Sequence, residues 1–398
     1  MPWKTSSLLE ARQRLVQSAL RGLKSVAQLC REAMISRKTA FKWLSRFRKF
    51  GGPGLRNRSR RPKRSPCRTP TRWLKDIAQV RHKHPHWGGK KIYARLRQKH
   101  PQARLPKVRT ITDWLRRLGL VRRRRRAWAR RGPQLPRQTL TIPQAPNDVW
   151  TVDFKGWFRT HDGQRVDPLT VRDLFSRFIL GIRLLSHRHE PVCRYFQELF
   201  ARYGQPKIIR VDHGAPFAGD GPLDLSRLSA WWLRLGIAVQ FTGRARPQDN
   251  GAHEQMHRVY QSELASPPAA TPRGQQWRTT RWIACYNQER PHEALDQRVP
   301  AVLYRKSRRA YRGRMPQLTY RRNWLKRRVT ASGYIRWRGR LRVIGRAFGG
   351  QDVGFKPLPK GVHEVYFGRH FIGLLVDTDP GGLRPAQWSK TPKTSCIA

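Results

Sequence analysis

Charge constrains this chain more than any motif. Its 398 residues hold 84 Lys and Arg against 24 Asp and Glu, a formal net charge of +60. Self-repulsion on that scale opposes a compact state unless a polyanion neutralises it. Arg outnumbers Lys 64 to 20. A guanidinium grips phosphate through a planar two-donor fork, so the bias favours nucleic acid over a merely soluble surface. Codon usage in a GC-rich genome would explain Arg in place of Lys, but not the scarcity of acids.

The charge is also unevenly placed. Residues 1–142 carry 41 basic and 4 acidic side chains, residues 301–398 carry 22 and 4, and residues 143–300 carry 21 and 16. Two basic arms therefore flank a middle that holds most of the acids, the layout expected if the arms grip DNA and the middle binds cations. The five scattered cysteines, Cys30, Cys67, Cys193, Cys285 and Cys396, form no CxxC pair, which argues against a disulfide framework and a structural zinc finger. His82, His84 and His86 read as a solvated loop rather than a metal site. No apolar run approaches the roughly 18–20 residues of a membrane span, and Met1 leads into no signal peptide. A reducing, DNA-containing compartment is expected.

Periodicity divides the chain. Residues 7–49 read as three helices, with Leu8, Leu9, Leu15, Ala19 and Leu23 at helical spacing. Ser25 opens a short helix, the chain breaks at Met34–Ile35, and Ser36 caps a third. That third helix turns Ala40, Trp43, Leu44 and Phe47 inward and Arg37, Lys38, Thr39 and Lys42 outward. A tight turn before a helix with a basic outer face is a helix-turn-helix arrangement, whose second helix enters the major groove. Residues 1–50 are thus expected as a helix-turn-helix DNA-binding domain. A Gly/Pro/Arg linker at 51–70 follows, then a second helical DNA-binding module at 71–121. Its core is expected from Trp73, Ile77, Val80, Ile92, Leu96, Ile111, Trp114 and Leu115. In the Arg-rich linker at 122–142, the run Arg122, Arg123, Arg124, Arg125 and Arg126 is expected along phosphates, where it adds salt-sensitive affinity without sequence information.

From Trp150 strands and helices interleave, which implies an α/β core at 143–305. Close-spaced short strands around Gly339 and Gly368–Arg369 predict a small β-barrel at 320–378, and 379–398 reads as a disordered tail. Three carboxylates sit where core elements start or stop. Asp153 lies in the first strand, Asp212 ends the apolar strand Ile208–Val211, and Glu254 opens the helix after Asn250-Gly251. Phosphodiester chemistry needs an activated oxygen nucleophile and a stabilised leaving oxygen. Two Mg²⁺ or Mn²⁺ ions roughly 4 Å apart, held by hard carboxylate oxygens, supply both. Rival acids have other expected duties: Asp173 in a turn, Asp249 at the start of the Glu254 helix, and Glu263 pointing elsewhere. His253-Glu254-Gln255-Met256-His257 also fits the HExxH zinc-protease pattern, but Pro247 and Asn250-Gly251 put it at a helix start with no convincing third ligand.

The blocks Trp150-Thr151-Val152-Asp153, Asp212-His213-Gly214-Ala215-Pro216-Phe217 and Arg246 to Glu254 resemble the three signature blocks of bacterial insertion-sequence transposases with a retroviral-integrase-like catalytic core. Tyr286-Asn287, Arg290 to Leu295, Pro300 and Tyr304 resemble that group's post-core motif. The resemblance spans nearly the whole chain. It implies a ribonuclease-H-like core fold and Asp153, Asp212 and Glu254 as the acidic triad on two metal ions. It further implies double-stranded DNA as partner, both terminal repeats and target, and a homo-oligomer that pairs two ends. His213 and Gln255 depart from the group's usual Asn and Arg. The expected activity is cutting and joining DNA; the alternative is an inactivated relative that only binds it.

Overall fold

A computed structural model describes residues 7–59, 69–121, 140–243, 247–386 and 396–397. Arg122 to Arg126 lie outside these. The chain forms two compact units, Met1–Thr69 and Pro70–Ala398.

The first unit holds α1 (Leu8–Leu20), α2 (Val26–Glu32) and α3 (Arg37–Phe50). Each of the last two starts on a serine whose hydroxyl accepts an otherwise orphaned amide: Ser25 from Gln28 at 3.3 Å and Ser36 from Thr39 at 3.2 Å. Between them Met34 takes the left-handed conformation, φ +52°, which makes the turn tight. Leu15, Val16, Leu29, Cys30, Ala40, Trp43, Leu44 and Leu55 are buried. Arg12 packs its guanidinium 3.8 Å from the Trp43 ring and donates to the Leu55 carbonyl at 2.8 Å. Leu23, expected inward, is 81% exposed because α1 ends at Leu20 and leaves it in a turn.

The second unit begins with α4 (Thr71–Lys83), α5 (Gly89–Lys99) and α6 (Val108–Arg117). Ile77, Ile92, Leu96, Ile111 and Leu115 form their core as expected. Trp87 joins it from the loop between α4 and α5, stacked 3.8 Å from the His84 ring. Trp114 is only half-buried, with the Arg117 guanidinium 5.4 Å from its ring. At Gly89 an added Cβ would meet Thr112 Oγ1 at 2.4 Å, so glycine permits the close crossing of α5 and α6.

The central elements are β1 (Val149–Phe154), β2 (Phe158–Arg159), β3 (Arg165–Val166), β4 (Pro168–Asp173), β5 (Ile179–Leu184), α7 (His189–Tyr203), β6 (Ile208–Val211), α8 (Arg227–Arg234), β7 (Ala238–Phe241), α9 (Gly251–Tyr260), α10 (Pro272–Gln288) and α11 (Pro300–Leu303). In the main sheet β5, β4, β1, β6 and β7 are neighbours in that order. The pairs β5–β4 and β4–β1 are antiparallel, while β1–β6 and β6–β7 are parallel. This mixed order is that of a ribonuclease-H-type core. Both faces are covered, so β4 is buried along its whole length, its polar residues included, and β1 along its first four residues. Val192, Phe196 and Phe200 of α7 share a buried cluster with Trp150 and Val152. Met256 and Tyr260 of α9 and Trp282 of α10 form another with Ile179 and Ile182.

The C-terminal strands are β8 (Leu325–Arg328), β9 (Tyr334–Trp337), β10 (Arg340–Val343), β11 (Asp352–Leu358), β12 (Val362–Phe367), β13 (His370–Val376) and β14 (Arg384–Pro385). The expected barrel is not closed. Five strands form an open antiparallel sheet, β14-β13-β12-β11-β8, and β9–β10 is a separate hairpin. Its edges β8 and β14 pair with one neighbour each, because the hairpin lies between them as its own two-stranded sheet. The sheet also shares one continuous buried cluster with the core, in which Phe348, Phe355 and Phe367 join Trp232 and Leu233 of α8. Arg227 of α8 donates to the Ala331 carbonyl at 2.8 Å. The chain after Asp379 was expected to be structureless. Where described, it instead pairs as β14 and as β15 (Cys396–Ile397), the latter against β7.

Two amide side chains of α10 cover the free edge of the main sheet. Gln276 accepts from the Leu184 amide at 2.9 Å and donates to the Ile182 carbonyl at 3.0 Å. Asn287 of α10 accepts from the Ile179 amide and donates to the Ile179 carbonyl, both at 2.9 Å, as a neighbouring strand would. Asn287→Ala strands two buried backbone groups, and is expected to cost roughly 2–3 kcal/mol in denaturant unfolding. A loss below about 0.5 kcal/mol would show that water replaces the amide freely.

Candidate active site

Asp153 is the penultimate residue of β1, and Asp212 follows the last residue of β6. These strands run parallel with Thr151 opposite Arg210. Both carboxylates therefore emerge at the carboxyl ends of adjacent parallel strands, the end at which open sheets with crossover helices bind ligands. Glu254 lies in the first turn of α9. The three form one electrostatic site. The Asp153 carboxyl is pushed up to about 7, first by burial, then by the charge of Asp212, then by that of Glu254, against a weaker pull from the Phe154 amide. Asn250 donates to Asp153 Oδ2 at 3.3 Å, and the Gly214 amide donates to Asp212 Oδ1 at 3.2 Å.

The position of Glu254 depends on how α9 is seated. On the face of the sheet under this helix, Thr151 pairs across strands with Arg172, and Asp153 with Thr170. Thr170 Oγ1 lies 2.8 Å from the Asp153 carbonyl, 2.5 Å from His253 Nε2 and 2.8 Å from His257 Nε2. A hydroxyl has one proton to give. Donated to the carbonyl, which only accepts, it leaves both imidazoles as Nε2–H donors. His253 Nδ1 then accepts from the Thr151 hydroxyl at 2.9 Å. This tautomer assignment gives each of these four contacts one donor and one acceptor. Burial holds both rings neutral, His253 well below its usual value and His257 down to about 3. Arg172, fully buried and lowered to about 10 by desolvation, donates to the Ala252 carbonyl at 2.6 Å.

This arrangement disposes of the HExxH reading. The ligand nitrogens converge on a threonine hydroxyl instead of an open coordination position. Glu289, the third ligand the downstream sequence could offer, sits in another cluster with His84 and Cys285.

The other acids take structural posts. Asp173 is buried and accepts from the Asn147 amide at 2.7 Å and from the Ser176 amide and hydroxyl at 2.8 and 2.5 Å. Asp249 accepts from the Gly243 amide at 3.1 Å. Glu263 pairs with Arg290 and accepts from the Trp282 indole. His213 turns its Nε2 toward Asp224 at 3.5 Å, and Gln255 is exposed. On α3, Arg37, Lys38 and Lys42 are exposed, while Thr39 is half-buried with its hydroxyl 2.9 Å from that of Ser36. Sequence reasoning missed Thr151, Thr170, Arg172, His253 and His257 as the seat of α9. The available signal was the alternation of polar residues, Thr151 with Asp153 and Thr170 with Arg172, inside strands otherwise apolar.

A ribonuclease-H-type sheet with acids at the ends of its parallel pair, preceded by basic helical modules, defines an integrase-core protein. Residues 143–247 and 235–300 match integrase core domains, residues 11–63 a helix-turn-helix domain, and residues 39–115 a homeodomain-like domain. Residues 326–378 match the C-terminal domain of IS481 family transposases. An uncharacterized 31.7 kDa protein of insertion element IS407 from Burkholderia multivorans is 26% identical over 243 residues, 58% of this chain and 80% of that protein. An uncharacterized 39.2 kDa protein of insertion element IS476 from Xanthomonas euvesicatoria is 26% identical over 232 residues, 57% of this chain and 62% of that protein. The HTLV-2 integrase catalytic core domain in complex with magnesium overlaps 41% of this chain and 100% of its own, at 13% identity and a TM-score of 0.30. The chain is similar to insertion-sequence transposases with an integrase-type core.

The charge cluster has a pH signature. Asp153 is raised in the folded chain, so its proton stabilises the fold below the unfolded carboxyl value of about 4, and that stabilisation is lost as pH rises through about 7. In chelator-treated buffer the melting temperature of Asp212→Asn relative to wild type is expected to rise between about pH 5 and 8. A difference that is flat with pH would mean that the two carboxylates do not interact.

Proposed function

We propose that this chain is a DNA transposase that nicks element ends and joins the freed 3′-hydroxyl to target DNA, with Asp153, Asp212 and Glu254 as its catalytic carboxylates. The observation that carries this reading is the placement of Asp153 and Asp212 at the carboxyl ends of adjacent parallel strands with Glu254 in the first turn of α9, where burial and then the charges of Asp212 and Glu254 raise the Asp153 carboxyl. A protein rarely retains such repulsion without a cation to relieve it. The donors are hard oxygens, which fits Mg²⁺ or Mn²⁺ and not a thiolate-seeking ion. When bound there, two such ions would lower the cost of forming the attacking oxyanion and of releasing the leaving one.

The chain's own residues do the positioning. Asp153, Asp212 and Glu254 would hold the ions. Asn250 holds the Asp153 carboxylate and the Gly214 amide holds that of Asp212. The His253–Thr170–His257 seat holds α9, and with it Glu254, on the sheet. In the first step water attacks phosphorus and the bond to the 3′-oxygen breaks, freeing a 3′-hydroxyl. That hydroxyl then attacks a target phosphate, and the target strand's 3′-oxygen departs. Arg37, Lys38, Thr39 and Lys42 on α3 would read terminal repeats, while Arg122 to Arg126 would follow phosphates. Pairing two ends requires more than one copy of the chain.

Asp212→Asn is expected to lower strand transfer with end-sequence DNA and Mn²⁺ by more than ~100-fold while leaving DNA affinity unchanged, as loss of a ligand should. Equal products from variant and wild type would leave only a DNA-binding protein. Replacing Arg37, Lys38 and Lys42 together by Ala should make the slope of log affinity against log salt shallower by about 2–3. An unchanged slope would remove α3 from the DNA interface.

A further inference from the structure

We infer that His84, Cys285 and Glu289 form a second metal site, for a borderline divalent ion of the zinc class, which ties the loop after α4 to α10. This site is separate from the three carboxylates, and the inference does not depend on the transposition reading.

Cys285 lies in the last turn of α10 and Glu289, four residues on, is the residue that caps it, its amide donating to the Cys285 carbonyl, so the two side chains stand on one side of the helix end. His84, the residue after α4, brings its ring against that side. Its Nδ1 lies 3.9 Å from Cys285 Sγ and its Nε2 3.5 Å from Glu289 Oε2. One ligand atom from each residue can be chosen so that all three lie within 4.8 Å of one another, and among the described residues no other His, Cys, Asp or Glu trio meets that limit. Around a tetrahedral ion with bonds of roughly 2.0–2.3 Å, ligand atoms stand about 3.5 Å apart, so the widest separation needs to close by at most about 1.3 Å.

The chemistry of the three suits such an ion. Thiolate, imidazole and carboxylate together are a zinc donor set, and three protein ligands leave one position open. The imidazole of His84 is more than nine-tenths buried and shifted down by that burial, so it is neutral with a lone pair to give. Its orientation is fixed by stacking on Trp87. Burial, with Glu289 and Glu263 nearby, keeps the Cys285 thiol protonated without metal. Binding would send that proton to solvent and form the thiolate–metal bond. A cavity of about 670 Å³, lined in part by these three residues, opens onto the trio and gives an ion its route in.

The competing occupants of Glu289 are Lys83 at 2.8 Å and Arg95 at 3.5 Å. Both approach Oε2 from the rim. The Lys83 side chain is 61% exposed and free to swing into water when an ion arrives. Exposed ion pairs of this kind contribute little, so their loss opposes binding weakly.

The test uses the full chain, freed of metal, and titrates it with cobalt(II), whose bond to thiolate gives a charge-transfer absorption in the near ultraviolet. One cobalt per chain with that absorption is expected, lost in Cys285→Ser and in His84→Ala and kept in Asp212→Asn. Absence of the absorption, or its survival in Cys285→Ser, overturns the site. Should His84→Ala fail to fold, alkylation of the wild-type chain followed by peptide mapping gives the answer. Zinc should slow modification of Cys285 at least tenfold while leaving Cys193 unaffected, and an unchanged rate at Cys285 refutes the proposal. None of these readouts needs active enzyme, so their failure is distinct from failure of strand transfer.

Discussion

Negative charge held against its own repulsion is the constraint on which this molecule turns. Asp153 sits in a half-buried position where a lone carboxylate is already costly, and Asp212 and Glu254 add to that cost. The sheet tolerates this because the backbone around the acids is over-determined. Two parallel strands fix Asp153 and Asp212, and a buried lattice of two threonines, two histidines and an arginine fixes α9. The lattice is polar and its threonines and imidazoles bond to one another, which lets it specify one seating of the helix where an apolar contact would allow several.

Much of the core was legible from residue order alone, for identifiable reasons. Each carboxylate marks a change of texture: an apolar run meets Asp153 or gives way to Asp212, and a Gly-containing helix start precedes Glu254. Ser25 and Ser36 announced their helices because capping is local chemistry. Failures came where distant contacts decide. Strand spacing after residue 320 cannot show whether two edges meet, so an open sheet with a separate hairpin read as a barrel. Trp87 lies outside any helical period, yet fills the core that Trp114 was expected to share. His84 and Cys285 stand 201 residues apart, beyond the reach of any spacing rule.

The post-core motif has a physical meaning that its resemblance did not supply. Tyr304 donates to Asn147 at 3.0 Å, Arg290 pairs with Glu263, and Asn287 takes the main-chain groups of Ile179. These residues tie α10 and the chain after it to the outside of the sheet, and none of them reaches the three carboxylates. The C-terminal sheet extends the same logic, since its buried aromatics continue the core through α8.

The amide of Asn287 has an implication for assembly. An antiparallel edge strand with bare amides and carbonyls invites a second chain to add to it, and multimers on DNA crowd such edges together. By occupying Ile179 from within, the side chain denies that register to a neighbour. Copies of this chain that approach one another at this edge would meet through side chains and helices, and their central sheets would stay discrete in place of fusing into one continuous ribbon.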